Sequence, residues 1–293
     1  MPYIPDDPCF ENQYAPFLVN AHQAWETTLG SSDTTIAVID SGIEHEHPDL
    51  KQNFRSQPGY DFVDDEPDPS PESPATDFHG THVAGIIGAV ADNGLGIAGL
   101  TQSTLIGARV IDESDITSSL QLSKAIRWAV DEGADIINAS IVGPPHEQLA
   151  DAVSYAFDRD VLLVTPVGNG YGEELAYPAS YEPCLAVSAL DIDETLANYS
   201  NKGDGVNLTA PGTDIISTTT SARGDYERLS GTSRASPIVA GAAGLCHTQW
   251  ELSGSELFSH LERTSVDIGL PTSDQGNGRI DGFSAVTTSP FKS

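Results

Sequence analysis

Five short apolar runs rich in β-branched residues set the strongest limit on how this chain folds: TTIAVID (34–40), TLIGARVI (104–111), ADIINAS (134–140), VLLVTPV (161–167) and CLAVSAL (184–190). Runs that are apolar throughout, rather than alternating, suit strands buried on both faces, as in parallel sheets covered by helices. Two amphipathic stretches, 118–132 and 147–158, predict helices between them. In SSLQLSKAIRWAVDEG the residues Leu122, Ile126, Ala129 and Val130 recur at helical spacing, and Gly133 supplies the stop. The pattern is βαβ alternation, hence an α/β fold. The Pro- and acid-rich segment 64–77 reads as a loop, no stretch resembles a linker, and no repeat occurs, so 1–293 is expected to form a single domain.

Charge excludes whole classes of partner. Forty-three acidic against 13 basic residues give a formal charge of −30, which repels nucleic-acid phosphates and anionic membrane surfaces. The acids are spread along the chain, so they describe a solvated or cation-binding surface rather than a tail. No run approaches the ~20 apolar residues that span a bilayer, and no basic start followed by an apolar stretch occurs in the first 30 residues. Cys9, Cys184 and Cys246 make an odd count. Apolar neighbours around Cys184 and Cys246 point to buried free thiols, with one bridge left open.

In open α/β sheets reactive groups gather beyond the carboxyl ends of the strands. Asp40, Ser140 and Asn169 stand there. A buried strand has little reason to finish on an isolated carboxylate such as Asp40 unless a partner stabilises the charge, and a histidine does so. His79 lies where the polar turn FHGTH runs into an apolar helical stretch. Ser233, in LSGTSRASPIVAGAAGL, opens a small-residue helix after Gly231, with Pro237 near its first turn. There its hydroxyl can attack a carbonyl while the helix dipole and its own N–H favour an oxyanion, and Asn169 offers a second donor. Taken singly, each residue has a plainer reading: a serine cap, a structural histidine, a turn-capping aspartate. Their combination changes the odds.

VIDSGIEHEHPDL, HGTHVAG and GTSRASP resemble the three signature blocks of the subtilase family, in its order Asp, His, Ser, and most resemble the thermitase branch. The likeness extends from PDDPCF, through QAWETTLGSSDTTIAVID and PVGN, to NGRIDGFSAV. It implies a three-layer fold with a mainly parallel central sheet between helices, and a monomeric serine endopeptidase acting on peptide or protein substrates without an organic cofactor. Ser233 would be the nucleophile, His79 the general base and then acid, Asp40 the orienting carboxylate and Asn169 the oxyanion-hole donor. His82 would be structural. Other motif readings fit less well. DSG occurs once where an aspartic-protease mechanism needs two carboxylates, no HExxH accompanies His79 and His82, GTSRA is not a GxSxG elbow, and EHEH at 44–47 reads as a solvated turn.

The resemblance also implies calcium, which takes six to eight oxygen ligands. One site would use the side chains of Asp7, Asp49 and Asn93 with the carbonyls of Val90, Leu95 and Ile97. A second is suggested by Asp61, Asp64, Glu66 and Asp68, which crowd one loop and repel unless a cation or solvent intervenes. A bound peptide would pair between two edges, Asp115–Ile116–Thr117 and Ser140–Ile141–Val142–Gly143, with Pro166, Val167 and Gly168 across the primary pocket. Bulk at Val142, Pro166 and Val167 implies a small or narrow P1 side chain. Arg234 replaces the methionine usual after the nucleophile; it would support negative charge, pair with a carboxylate, or meet an acidic substrate group. Two alternatives share the fold: a peptide ligase or macrocyclase, for which a water-excluding insertion is missing, and a catalytically silent binding protein. The resemblance implies secretion and a cleaved propeptide, with a cytoplasmic enzyme as the alternative.

Overall fold

Seven strands form the parallel sheet that the apolar runs predict: β1 (Thr35–Asp40), β2 (Phe54–Asp61), β3 (Thr104–Arg109), β4 (Ile136–Ala139), β5 (Leu162–Pro166), β6 (Cys184–Leu190) and β7 (Leu208–Pro211). The computed structural model describes residues 3–112 and 118–291. Their order is β2-β3-β1-β4-β5-β6-β7, every pair parallel. The five apolar runs supply β1, β3, β4, β5 and β6. β2 escapes the pattern because it is an edge strand with a register shift between Phe54 and Gly59, a proline within it and largely part-exposed side chains. A separate antiparallel pair, β8 (Ile215–Thr218) and β9 (Tyr226–Leu229), lies alongside.

Alternation along β1 shows how the layers are built. Ile36 and Val38 pack with Val83 and Ile87 of the helix His79–Gly88 and with Ile238 and Val239 of the helix Thr232–Trp250. Ala37 and Ile39 point the other way, against Leu122, Ile126, Leu149 and Val153 of the helices Ser119–Asp131 and Glu147–Phe157. Both helices lie where the amphipathic stretches predict them. Ser118 caps the first of them by accepting the Leu120 N–H, and Gly133 leaves it at φ +79°. Cys184 and Cys246 are buried free thiols, and burial pushes the Cys246 thiol up to about 12.

From β1 the chain builds β2 and β3 on one side and then crosses to β4 and beyond on the other, so the carboxyl end of β1 opens a crevice. Beside it the acid-rich loop after β2 behaves differently from the sequence expectation. Arg109, buried at the end of β3, donates to Asp61 at 2.6 Å, Asp64 at 2.6 Å and Glu72 at 3.1 Å. Asp68 turns instead to His45 and the Ser70 N–H, and Glu66 makes a backbone bridge with Asp61. Asp61, Asp64, Glu66 and Asp68 therefore do not converge on one point among the described residues. The crowding that suggested a second calcium is relieved by a guanidinium that lies 45 residues further along the chain from Asp64, out of reach of any local reading.

Removing one partner of a buried pair strands the other charge. Arg109→Ala is therefore expected to destabilise the protein by about 3–5 kcal/mol in denaturant unfolding.

Candidate active site

Asp40 ends β1 fully buried, and its Oδ1 accepts two hydrogen bonds, from the Ser41 N–H and from His79 Nδ1, both at 2.7 Å. Oδ2 has no partner among the described residues. His79 opens its helix because the next residue is Gly80: a Cβ there would stand 2.4 Å from the Gly42 carbonyl and 2.8 Å from Asp40 Cβ. Only a bare backbone lets the helix start seat against the strand end. The other face of the ring brings Nε2 to 3.0 Å from Ser233 Oγ. Asp40, His79 and Ser233, which are far apart in sequence, thus form one hydrogen-bonded line. His82, a turn further on, is buried with Nε2 at the Glu227 carbonyl, and burial lowers its pKa well below the usual histidine range.

Ser233 stands in the first turn of the helix Thr232–Trp250, whose initial N–H groups have no intrahelical acceptor. Gly231 before it adopts φ +149°, a conformation that suits glycine. Pro237 lies inside the helix rather than in its first turn, and its missing N–H would orphan the carbonyl four residues back, that of Ser233. Ser140 Oγ, at the end of β4, donates to that carbonyl at 3.2 Å and is itself held by Asn138 Nδ2 at 2.8 Å. The loop after β4 therefore steadies the serine from below.

Asn169 is aimed by its neighbours. Its Oδ1 accepts both the N–H and the hydroxyl of Thr232, each at 2.9 Å, which leaves the Nδ2 donors for the cleft. Asn201 holds the loop that carries it, accepting the Gly170 N–H at 2.6 Å and donating to the carbonyls of Val167 and Glu174. The sequence reading missed Thr232 and Asn201. Thr232 is adjacent to the nucleophile motif and open to such a reading, whereas Asn201 acts across 31 residues and carries no local signal.

A cleft of about 500 Å³ lies over this line, bounded by Ser140, Ile141, Val142, Pro166, Gly168 and Asn169 on one side and Thr76 to His79 on the other. Val142 is exposed, and it and Pro166 both line the cleft. Val167 corrects the narrow-pocket expectation. Following strand alternation, its side chain turns away into a small apolar cluster with Ala179, Ala186 and Val206, so it cannot thicken the pocket wall. Gly143 is taken up by a backbone bond to the Tyr177 carbonyl. Asp115, Ile116 and Thr117 lie outside the described residues.

Arg234 is buried beneath the cleft. Its Nη1 lies 2.7 Å from His79 Nε2 and donates to Ser233 Oγ at 3.2 Å. None of the ion pairs among the described residues includes it. Burial pulls its pKa down to about 10, so it remains charged at neutral pH.

A model of the subtilase family matches residues 31–280. The chain belongs to the subtilase family. It is 48% identical to the halolysin of Haloferax mediterranei over 98% of its own length and 56% of that protein. It is 44% identical to the halolysin-like extracellular serine protease Nep of Natrialba magadii over 98% of its length and 53% of Nep. Thermitase from Thermoactinomyces vulgaris is 36% identical over 97% of the chain and 99% of thermitase. A solved protease from Pseudoalteromonas arctica superposes with a TM-score of 0.89 at 26% identity, covering 97% of the chain and 99% of that structure. The chain thus spans little more than half of the two halolysin-type relatives.

Of the first set of expected metal ligands, hydrogen bonds link Asp7, Asp49, Asn93 and Ile97. Asp7 and Asp49 are buried beside the loop 89–99, where Asp7 accepts the N–H groups of Asp92 and Asn93, and Asp49 accepts from Asn93 Nδ2, the Ile97 N–H and the Tyr226 hydroxyl. Burial raises both carboxyls, Asp49 to about 6. Asp6 and Asp92, not expected from sequence, gather with Asp7 in a three-carboxylate cluster.

Burial holds the Arg234 guanidinium below its ordinary range, which marks the cost of keeping that charge out of water. Arg234→Met, made in a Ser233→Ala background to prevent self-digestion, is expected to raise stability by about 1–3 kcal/mol in urea unfolding.

Proposed function

We propose that this chain is a serine endopeptidase that cleaves peptide bonds through an acyl-enzyme. The observation that carries the reading is the line Asp40–His79–Ser233, with hydrogen bonds of 2.7 Å and 3.0 Å, set beneath a peptide-sized cleft. His79 keeps its Nδ1 proton directed at Asp40 and takes the Ser233 proton at Nε2 as Oγ bonds to the substrate carbonyl carbon. The developing oxyanion is met by Asn169 Nδ2 and the Ser233 N–H. Collapse breaks the C–N bond, and the Nε2 proton leaves with the amine. Water then repeats the sequence and frees the acid. Substrates are peptides or proteins, and an extracellular setting rests on the likeness to Nep.

A second reading, a silent protein of the same fold, is favoured by the Arg234 guanidinium at His79 Nε2. A serine-directed phosphonate separates the two. Labelling at Ser233, abolished by Ser233→Ala, is expected; no Ser233-dependent labelling across salt and calcium conditions would sink the peptidase reading.

Calcium is part of the proposal. The residues fit a hard cation: Asp7 and Asp49 are buried carboxylates with no cationic partner among the described residues, and the carbonyls of Val90, Leu95 and Ile97 accept no hydrogen bond from those residues. Asn93 would turn its amide oxygen to join them. A cation there would tie the N-terminal segment at Asp7 to the loop 89–99 and remove the cost of burying two like charges. Chelation is expected to lower the melting temperature of the Ser233→Ala protein by about 10 °C or more, and Asp49→Asn to abolish the calcium response, both read by calorimetry.

A further inference from the structure

A guanidinium has five N–H donors and no lone pair to offer. Arg234 brings one donor to 2.7 Å from His79 Nε2 and 3.2 Å from Ser233 Oγ. Because Nδ1 of that ring faces Asp40 at 2.7 Å, the neutral imidazole carries its proton at Nδ1 and its lone pair at Nε2. That one lone pair is claimed twice, by the Ser233 hydroxyl at 3.0 Å and by Arg234 at shorter range. The charge-assisted bond is the stronger of the two. The conflict sharpens as the reaction starts. Once Nε2 has taken the Ser233 proton, an imidazolium and a guanidinium stand side by side, both donors, where burial strengthens their repulsion. Asp40 lies near enough to favour both cations but makes no direct bond to the guanidinium: among the described residues Arg234 Nε has no partner, and no ion pair reaches the side chain.

The geometry points to Arg234 as a specificity-determining latch, which occupies the base until a carboxylate on the leaving side of the scissile bond draws the guanidinium away from His79 Nε2. The leaving side follows from the route of the proton: Nε2 hands it to the departing amine, so a group touching Nε2 stands beside the first residue released. A carboxylate there, whether an Asp or Glu side chain or the free chain end of a one-residue leaving group, pairs with the guanidinium in its fork geometry. It cancels the second positive charge at the moment the imidazolium forms. A neutral residue leaves the latch closed. Attraction by the surface cannot imitate this preference, because a chain of formal charge −30 repels acidic peptides at long range. The inference rests on Ser233 and His79 acting as proposed above.

The test uses the whole chain and amidated fluorogenic peptides that differ only in the residue after the scissile bond, Ala, Gln or Glu. A fourth peptide, ending at that residue with a free carboxylate, separates a side-chain carboxylate from a chain end. Active sites are counted with the phosphonate. The expected result is a kcat/KM about 10–100-fold higher for Glu than for Gln, and an Arg234→Gln variant that brings the ratio to near one by accelerating the Gln peptide. Equal cleavage of the Gln and Glu peptides by the labelled wild-type protein overturns the latch, even where the variant does not fold. So does an Arg234→Gln variant that keeps the Glu preference or slows on every peptide. Absence of Ser233-dependent labelling overturns the peptidase reading itself and the latch with it, a failure distinct from labelling without preference.

Discussion

The hydrogen bond between Asp40 and His79 is the interaction around which the rest of this structure is arranged. A carboxylate at the end of a fully buried central strand is costly unless its charge is met, and at Asp40 the Ser41 N–H and the His79 ring meet one oxygen while the other has no partner among the described residues. Meeting it requires a helix start pressed onto the strand end, which Gly80 alone permits. It also requires the crevice that β1 opens by having β3 on one side and β4 on the other. Ser233 then enters from the helix on the same face of the sheet, and Ser140, at the end of β4, supports it through the carbonyl that Pro237 leaves unpaired.

Excess negative charge shapes two further places, and the protein treats them in opposite ways. In the loop after β2 the acids are drawn onto a buried internal cation, Arg109, and three carboxylates share it. Around the loop 89–99 two buried carboxylates are met by amide and hydroxyl donors, and burial raises the pKa of both. Arg234 is the mirror case, a buried cation that no ion pair among the described residues includes, placed against the base. An unbalanced charge at the reacting atoms is where a substrate's own charge has most to change.

Much of this was legible from sequence because the signals are local. The runs TTIAVID, TLIGARVI, ADIINAS, VLLVTPV and CLAVSAL became strands because continuous apolar burial leaves few other solutions, whereas β2, a part-exposed edge carrying a proline, did not announce itself. Asp40, His79 and Ser233 could be singled out by the element ends they occupy and by motifs that resemble one family. Asn201 and Arg109 could not, since each acts on partners that only folding brings near. Val167 was misplaced for a smaller reason: adjacent residues on an extended backbone face opposite ways, and the sequence does not say which of Pro166 and Val167 faces the cleft.

By itself, then, the chain's order of apolar runs, glycines and polar strand ends determined the layered α/β fold and the three residues that line up above it, because periodicity, turn chemistry and helix starts are properties of neighbouring residues. Only the tertiary structure decided which charges meet: that Arg109 takes the loop acids, that Thr232 turns Asn169 toward the cleft, and that Arg234 lies on His79 rather than on a carboxylate. Those choices depend on distances across the sheet, where electrostatic energy falls with separation and burial multiplies it, and neither quantity is written in the order of residues.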